Sequence, residues 1–205
     1  SAPTVDLLAR ALESSVERVT ALLEAAEVDE IVAIEGNRVR FTHPLLASGI
    51  YDCADPASRR KIHRRVAGIT EQPELKARHL ALAATVADEA TLQALDAAAD
   101  AARARGAPAA AAELVEMAIA LGGDKVLRRL RAAEHHFRAG DVGKAAALIE
   151  PVLDGMRPGI LRALALNLLS GVRILEDDYL GAVELLQRAR GDGAGNDAVL
   201  VSTLL

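Results

Sequence analysis

Apolar residues near the start of the chain recur at the spacing of amphipathic helices. One stripe consists of Leu7, Leu8, Ala11 and Leu12, and the next of Val16, Val19, Leu22, Leu23 and Ala26. The pattern then changes to two β-prone runs, 31–34 and 39–41, with Gly36-Asn37 between them. Such a pair between two β-prone runs is typical of a two-residue hairpin turn. The sequence therefore predicts two helices followed by a β-hairpin.

Two prolines mark the starts of the next two helices. Pro44 suits the first helical position because its missing N–H would be unpaired there anyway, and this places His43 at the N-cap. Asp55-Pro56 repeats the arrangement with a better capping residue. Because helices followed by a hairpin are the order of a winged helix, we expect residues 1–70 to form a winged-helix segment with the hairpin as its wing.

From about residue 73 onward the sequence predicts helices separated by short turns, and one pattern repeats along them. Each copy has a turn residue followed by apolar residues at steps of 5, 4 and 3. The copies are Gly106, Ala111, Val115 and Ala118; Gly140, Ala145, Ile149 and Val152; and Asp177, Ala182, Leu186 and Ala189. The first two copies are 34 residues apart, which is the period of tetratricopeptide (TPR) repeats.

The side chains of these repeats depart from the TPR consensus. The positions that carry aromatic residues in the consensus hold Ala102, His136 and Arg173 here. We therefore predict a TPR-like array of helical hairpins over residues 71–205, truncated at its C-terminal end. The whole chain is expected to be mainly α, with one β-hairpin.

Composition and charge narrow the classes of function. Apolar residues make up 51% of the chain and aromatic residues only 2%, so the core must be built from aliphatic side chains and alanine. The formal net charge of -5 argues against a nucleic-acid-binding protein, because such domains are usually basic. A single cysteine, Cys53, excludes an internal disulfide, and no apolar run is long enough to span a membrane. We expect a cytoplasmic protein without membrane contact.

Motifs for catalysis or metal binding are missing from the sequence. It contains neither a G-x-x-x-x-G-K-[ST] phosphate loop nor a G-x-S-x-G nucleophile elbow. The pair His135-His136 is expected to belong to an ordinary repeat helix, because adjacent helical residues point about 100° apart. Acidic residues such as Asp177-Asp178 are favoured at a helix start by the helix dipole. We therefore expect no enzyme activity, catalytic residue, metal or cofactor in this chain.

One helix carries the strongest basic cluster, in the run 59–65. Arg59, Arg60 and Arg64 are candidates for an inter-domain basic face. The same cluster is compatible with a solvated surface, with contact to a nucleotide-binding core elsewhere in a larger protein, or with DNA. It lacks interleaved aromatic residues, and a helix spreads its charges around the circumference.

Two segments carry a resemblance to a known family. The run Phe41-Thr42-His43-Pro44-Leu45-Leu46, followed by Tyr51 and the segment 55–65, resembles the winged-helix part of large ATP-binding LuxR-type regulators, a branch of the STAND ATPases. These regulators contain a nucleotide-binding core, a winged helix, helical repeats and a DNA-binding helix-turn-helix, in that order. The resemblance implies that this chain corresponds to the middle of such a protein, with ATP or ADP bound by the intact protein.

The resemblance also suggests a role for His43. In STAND ATPases a histidine at this place contacts the β-phosphate of bound ADP, and a helix N-terminus favours anions. The alternative is that His43 only caps the helix or packs against the wing. The Pro44 that follows differs from the Asp of plant and animal relatives, so no role of that Asp carries over.

These observations predict a regulatory and sensor segment that couples nucleotide state to the binding of a small inducer or a protein partner by the repeats. A free-standing TPR-like adaptor for protein–protein interaction is the main alternative, and a DNA-binding winged helix is less favoured. The C-terminal apolar residues Val199, Leu200, Val201, Leu204 and Leu205 are expected to promote self-association.

Overall fold

A computed structural model describes residues 2–86 and 88–193 of this chain. This part contains eleven α-helices and one two-stranded antiparallel hairpin, which confirms the mainly α fold class. The chain divides into two compact units, Ser1–Ala84 and Thr85–Leu205, here called unit 1 and unit 2. Within the described residues, no helix combines the length and apolar character needed to cross a membrane.

Unit 1 contains five helices and the hairpin, in the predicted order with one helix added at its end. They are α1 (Val5–Leu12), α2 (Val16–Val28), β1 (Val32–Glu35), β2 (Arg38–Phe41), α3 (Pro44–Cys53), α4 (Pro56–Ile69) and α5 (Pro73–Ala83). The hairpin turns at Gly36, whose φ of 64° is easily reached by glycine. Its register pairs Val32 with Phe41 and Ile34 with Val39.

A short extended segment before α1 lies beside the hairpin. The N–H of Val39 donates to the carbonyl of Pro3, and the N–H of Val5 donates to the carbonyl of Asn37, both at 2.9 Å. Thr4 forms an isolated bridge with Arg38. The sequence pattern did not predict this segment, because so short a segment shows no alternation.

The boundary of unit 1 lies later than the predicted boundary at residue 70. Helix α5 packs against α4 and belongs to unit 1, which ends at Ala84. Small side chains allow this close contact, since Ala67 on α4 and Ala77 on α5 are each only 1% exposed.

In its described part, unit 2 is a series of three helical hairpins. Its helices are α6 (Glu89–Ala104), α7 (Pro108–Ala118), α8 (Val126–Arg138), α9 (Val142–Leu153), α10 (Ile160–Leu175) and α11 (Tyr179–Gly193). A π-helical turn, Ile119–Gly123, follows α7. The pairs are α6 with α7, α8 with α9, and α10 with α11, and neighbouring pairs also pack on each other.

The repeat register predicted from the sequence is confirmed at the turns. Gly106, Gly140 and Asp177 have φ values of 77°, 85° and 61°, so each occupies the left-handed region at the end of a first helix. The residue five positions later is buried in every copy: Ala111 and Ala145 are 0% exposed and Ala182 is 2% exposed. Small residues there let the second helix of each pair approach the first.

Aliphatic side chains and alanine form the core of unit 2, as the composition predicted. The largest fully buried aliphatic residues of the unit are Leu95, Val115, Ile149, Leu166 and Val172. The predicted self-association segment around Val199–Leu205 lies outside the described residues.

Candidate functional site

His43 is the N-cap of α3, as predicted. Its backbone is extended, and its Nδ1 accepts a hydrogen bond from the N–H of Leu45 at 3.2 Å. An imidazole nitrogen that accepts is unprotonated, so in the neutral ring the proton is on Nε2. The exposed His43 side chain therefore keeps one N–H donor directed away from its own helix.

The backbone at this helix start offers less to an anion than the sequence suggested. Pro44 has no N–H, the N–H of Leu45 is bonded to His43 Nδ1, and the N–H of Leu46 donates to the His43 carbonyl at 3.1 Å. The first N–H groups of α3 are thus already engaged. Any contact of this site with a phosphate falls on the imidazole Nε2–H.

The position of His43 is fixed by contacts at the base of the hairpin. The hydroxyl of Thr42 donates to the carbonyl of Glu30, and the N–H of Thr42 donates to the carbonyl of Ile31 at 3.1 Å. The carboxylate of Glu27 accepts from the N–H of Ile34 at 2.7 Å. The Glu27 bond ties β1 to the last turn of α2, and the two Thr42 bonds tie the residue before His43 to the segment between α2 and β1.

The basic residues of α4 separate into two groups. Arg59 is half-buried, with its guanidinium 5.0 Å from the ring centroid of Tyr51, and Arg65 pairs with Glu13 at 2.8 Å. Arg60 is also half-buried, whereas Arg64, one turn further along, is exposed, and neither has an ion pair among the described residues. Arg59 thus contacts a neighbouring helix of its own unit, and the inter-domain role of Arg59, Arg60 and Arg64 stays a prediction.

A hydrogen-bonded chain of three side chains connects α3, α4 and α5. Tyr51 Oη lies 3.0 Å from His63 Nε2, and His63 Nδ1 lies 2.9 Å from His79 Nδ1. The two imidazole centroids are 5.1 Å apart, which is close to the largest separation that this N···N distance allows, so the nitrogens point at each other. This head-on geometry suits a shared proton.

Both imidazoles of this chain favour the neutral form. The pKa of His63 is lowered by burial and by the nearby charge of Arg59. The pKa of His79 is lowered by burial, then by His63 and Arg78. A neutral pair suits the N···N contact, because two imidazolium rings would bring two N–H groups against each other.

Sequence reasoning assigned no partner to His63 or His79. They belong to different helices, and each lies eight residues from Glu71 in the turn between α4 and α5. Residues equidistant from the turn of a helical hairpin face each other, so this symmetry was the one signal available.

Unit 2 presents a groove between the first helices of its second and third pairs. The groove has a volume of about 360 Å³ and lies between α8 and α10. Its floor includes Leu130, Phe137 and Leu168, and its rim carries the ion pair of Arg138 with Glu134 at 2.8 Å. An apolar floor with a polar rim is suited to an apolar side chain or a small ligand.

The pair His135-His136 does not form one site. His135 is 2% exposed, and neither of its ring nitrogens has a hydrogen-bond partner among the described residues. His136 Nε2 instead lies 3.2 Å from the carboxylate of Glu116, without a well-aligned hydrogen bond. In the described part of the chain, no group of three or more His, Cys, Asp or Glu side chains is placed to hold a metal ion.

Comparisons with known proteins found no matching family, no similar curated protein and no similar solved structure.

Proposed function

We propose that this chain is a regulatory segment of a LuxR-type ATP-dependent regulator, in which unit 1 responds to bound nucleotide and unit 2 binds a protein partner or small inducer. The supporting observation is the arrangement at His43. The residue directly follows the hairpin, caps α3 through Nδ1 and keeps Nε2–H free to donate. A donor in this position suits a phosphate oxygen of ADP held mainly by a nucleotide-binding core.

The test separates the capping role of His43 from its proposed contact with phosphate. In the intact regulator, His43→Asn keeps a good N-cap, whereas His43→Ala removes both the cap and the ring. Both variants are expected to retain less ADP after purification and to show higher basal activity than the wild type. If His43→Asn retains ADP normally and only His43→Ala loses ADP, His43 acts as a capping residue and does not contact the phosphate.

The surface of α2 disfavours the alternative of a DNA-reading winged helix. This helix precedes the hairpin and carries Glu17, Glu24 and Glu27 against a single cation, Arg18. Acidic side chains repel the phosphate backbone, which supplies most of the affinity in non-specific DNA binding. Sequence-dependent binding of duplex DNA at physiological salt, measured by fluorescence anisotropy, would favour the DNA reader instead.

The groove between α8 and α10 supports a second candidate, a free-standing adaptor. An array of helical hairpins with an apolar groove can bind a peptide without any ATPase. The two candidates differ in their dependence on nucleotide. Partner binding by the intact protein that responds to ADP and ATP supports the regulator, whereas equal binding in both nucleotides supports the adaptor.

A further inference from the structure

Unit 1 contains a cavity that none of the functions above uses. It has a volume of about 660 Å³ and is lined by the segment before α1, by α1, by the turn between α4 and α5, and by α5. Leu7, Leu8, Val66 and Leu75 supply apolar lining. A cavity of this size falls within the range of small-molecule sites.

The charged residues of this cavity are mainly basic. Two cations, Arg10 and Arg38, line it beside the imidazole of His79, which favours the neutral form, and Glu71 is the one carboxylate among its lining residues. Among the described residues, the guanidinium of Arg10 has only long contacts, 4.0 Å to Asp6 and 3.4 Å to the carbonyl of Ile69. Arg10 therefore keeps hydrogen-bonding capacity for an anion.

The hydrogen-bonded chain behind the cavity determines what His79 offers to it. The Tyr51–His63 and His63–His79 distances fit either direction of donation, and we take the one in which Tyr51 O–H, beside the guanidinium of Arg59, donates to His63 Nε2. His63 then carries its proton on Nδ1 and donates it to His79 Nδ1. In the neutral ring of His79 the remaining proton is on Nε2, on the side of the ring away from His63. That N–H is a second donor for an anion.

We propose that this cavity binds a small carboxylate with an apolar body. The carboxylate accepts hydrogen bonds from the Arg10 guanidinium and from His79 Nε2–H, and the apolar body packs against Leu7, Leu8 and Leu75. Arg38 is held back, because it already donates to the carbonyl of Ala2 at 2.8 Å. This site does not depend on the role proposed for His43, which belongs to a different part of unit 1.

The experiment is an NMR titration of the full 205-residue chain with sodium octanoate, followed through its amide signals and the ring signals of its histidines. Two controls separate the contributions of the alkyl chain and the charge. Octan-1-ol has an alkyl chain of the same length but no charge, and sodium chloride supplies an anion without an alkyl chain. Octanoate is expected to shift the His79 ring and the amides of Leu7 and Leu75 and to saturate, with a Kd of about 0.1–1 mM. Octanol is expected to bind at least about tenfold more weakly, since it lacks the carboxylate.

A pair of arginine variants identifies the anion site. Arg10→Gln removes the cation at the cavity and is expected to weaken octanoate binding about tenfold, because one charge-assisted hydrogen bond is lost. Arg18→Gln removes an arginine of α2 that does not line the cavity, and it is expected to bind like the wild type. Three results would overturn the proposal: shifts that do not saturate, octanol binding as tightly as octanoate, or equal weakening by the two variants.

Discussion

The ring of Phe137 on α8 packs directly against the backbone of Gly171 on α10. A Cβ added at residue 171 would lie 3.0 Å from Cζ and 3.3 Å from Cε2 of this ring. The contact joins the first helices of two successive pairs. The contact is this close because residue 171 has no side chain, and Phe137 also lies in the floor of the groove between α8 and α10.

Enlarging Gly171 is therefore expected to destabilise unit 2. Gly171→Leu would force the ring of Phe137 aside, at a cost of about 1–3 kcal/mol from overpacking. The matched control is Gly143→Ala on α9, where an added Cβ meets nothing within 4 Å and helix propensity is expected to raise stability. Thermal unfolding of the two variants measures the difference. Equal effects would mean that the contact between Phe137 and Gly171 is absent in solution.

The repeat register is tested on the second helix of the middle pair. Ala145 is completely buried on α9, so Ala145→Leu is expected to cost roughly 1–3 kcal/mol in the free energy of unfolding. Ala147 on the same helix is exposed, and Ala147→Leu is expected to change stability by less than about 0.5 kcal/mol. Urea unfolding compares the two. An unchanged midpoint for Ala145→Leu would show that α9 packs in another register.

The sequence predicts the turns of unit 2 but not the contacts between its helical pairs. Gly106 and Gly140 mark turns that only a few residue types tolerate, so their 34-residue spacing fixed the register before any contact was known. The contact of Phe137 with Gly171 was not predictable in this way. The contact depends on how the α8–α9 pair is positioned along the α10–α11 pair. No local conformational preference of Phe137 or Gly171 determines that position.

Unit 1 shows the same division between local and tertiary information. The positions of His43 and Asp55 as N-caps follow from the proline after each, and the hairpin follows from Gly36-Asn37. The contact of His63 with His79 depends on the packing of α5 on α4, and the sequence placed the domain boundary between these two helices. The equal spacing of the two histidines from Glu71 is the one sequence signal for this contact, and it is informative only if α4 and α5 pair.

An ion-pair network between α6 and α8 is expected to contribute to the stability of unit 2. Asp96 accepts from Arg128 at 2.7 Å and from Arg131 at 2.9 Å, and the side chain of Arg128 is only 8% exposed. Asp96→Asn would leave the Arg128 charge poorly compensated, and we expect a loss of about 1–3 kcal/mol.

A more exposed pair in the same unit supplies the control for Asp96→Asn. Asp124 pairs with Arg129 at 2.6 Å, and its side chain is 45% exposed. Asp124→Asn is expected to lower the Tm by much less, because solvent screens exposed pairs. Similar losses of Tm for the two variants would mean that burial does not set the strength of the network.

The buried His135 is expected to make unit 2 sensitive to acid. Its pKa lies below the ordinary value of about 6.5, mainly because burial disfavours the imidazolium, with Arg131, Arg103 and Arg138 adding to this and Glu134 opposing it. Below pH 6.5 the unfolded chain therefore binds a proton at this residue that the folded protein does not bind. The part of the free energy of unfolding that depends on a neutral His135 is fully present above pH 6.5. It is lost as the pH falls through the pKa of His135 in the folded protein.

The variant His135→Leu isolates this contribution. It removes the titrating ring but keeps an apolar side chain, so its Tm is expected to fall less than that of the wild type between about pH 7.5 and pH 5.5. His63 and His79 remain in both proteins, and their effect cancels in the comparison. An equal fall in the two proteins would show that His135 is protonated in the folded state.

The most direct test of the proposed function is the rate at which ADP leaves the intact protein with and without the His43 ring. His43→Asn preserves the cap of α3, so any change in the rate reports on the phosphate contact. Loss of a hydrogen bond to a charged group costs about 1.5–3 kcal/mol, which corresponds to an increase in the ADP dissociation rate of roughly ten- to a hundredfold. An ADP dissociation rate equal to that of the wild type would contradict the proposal that unit 1 senses bound nucleotide through His43.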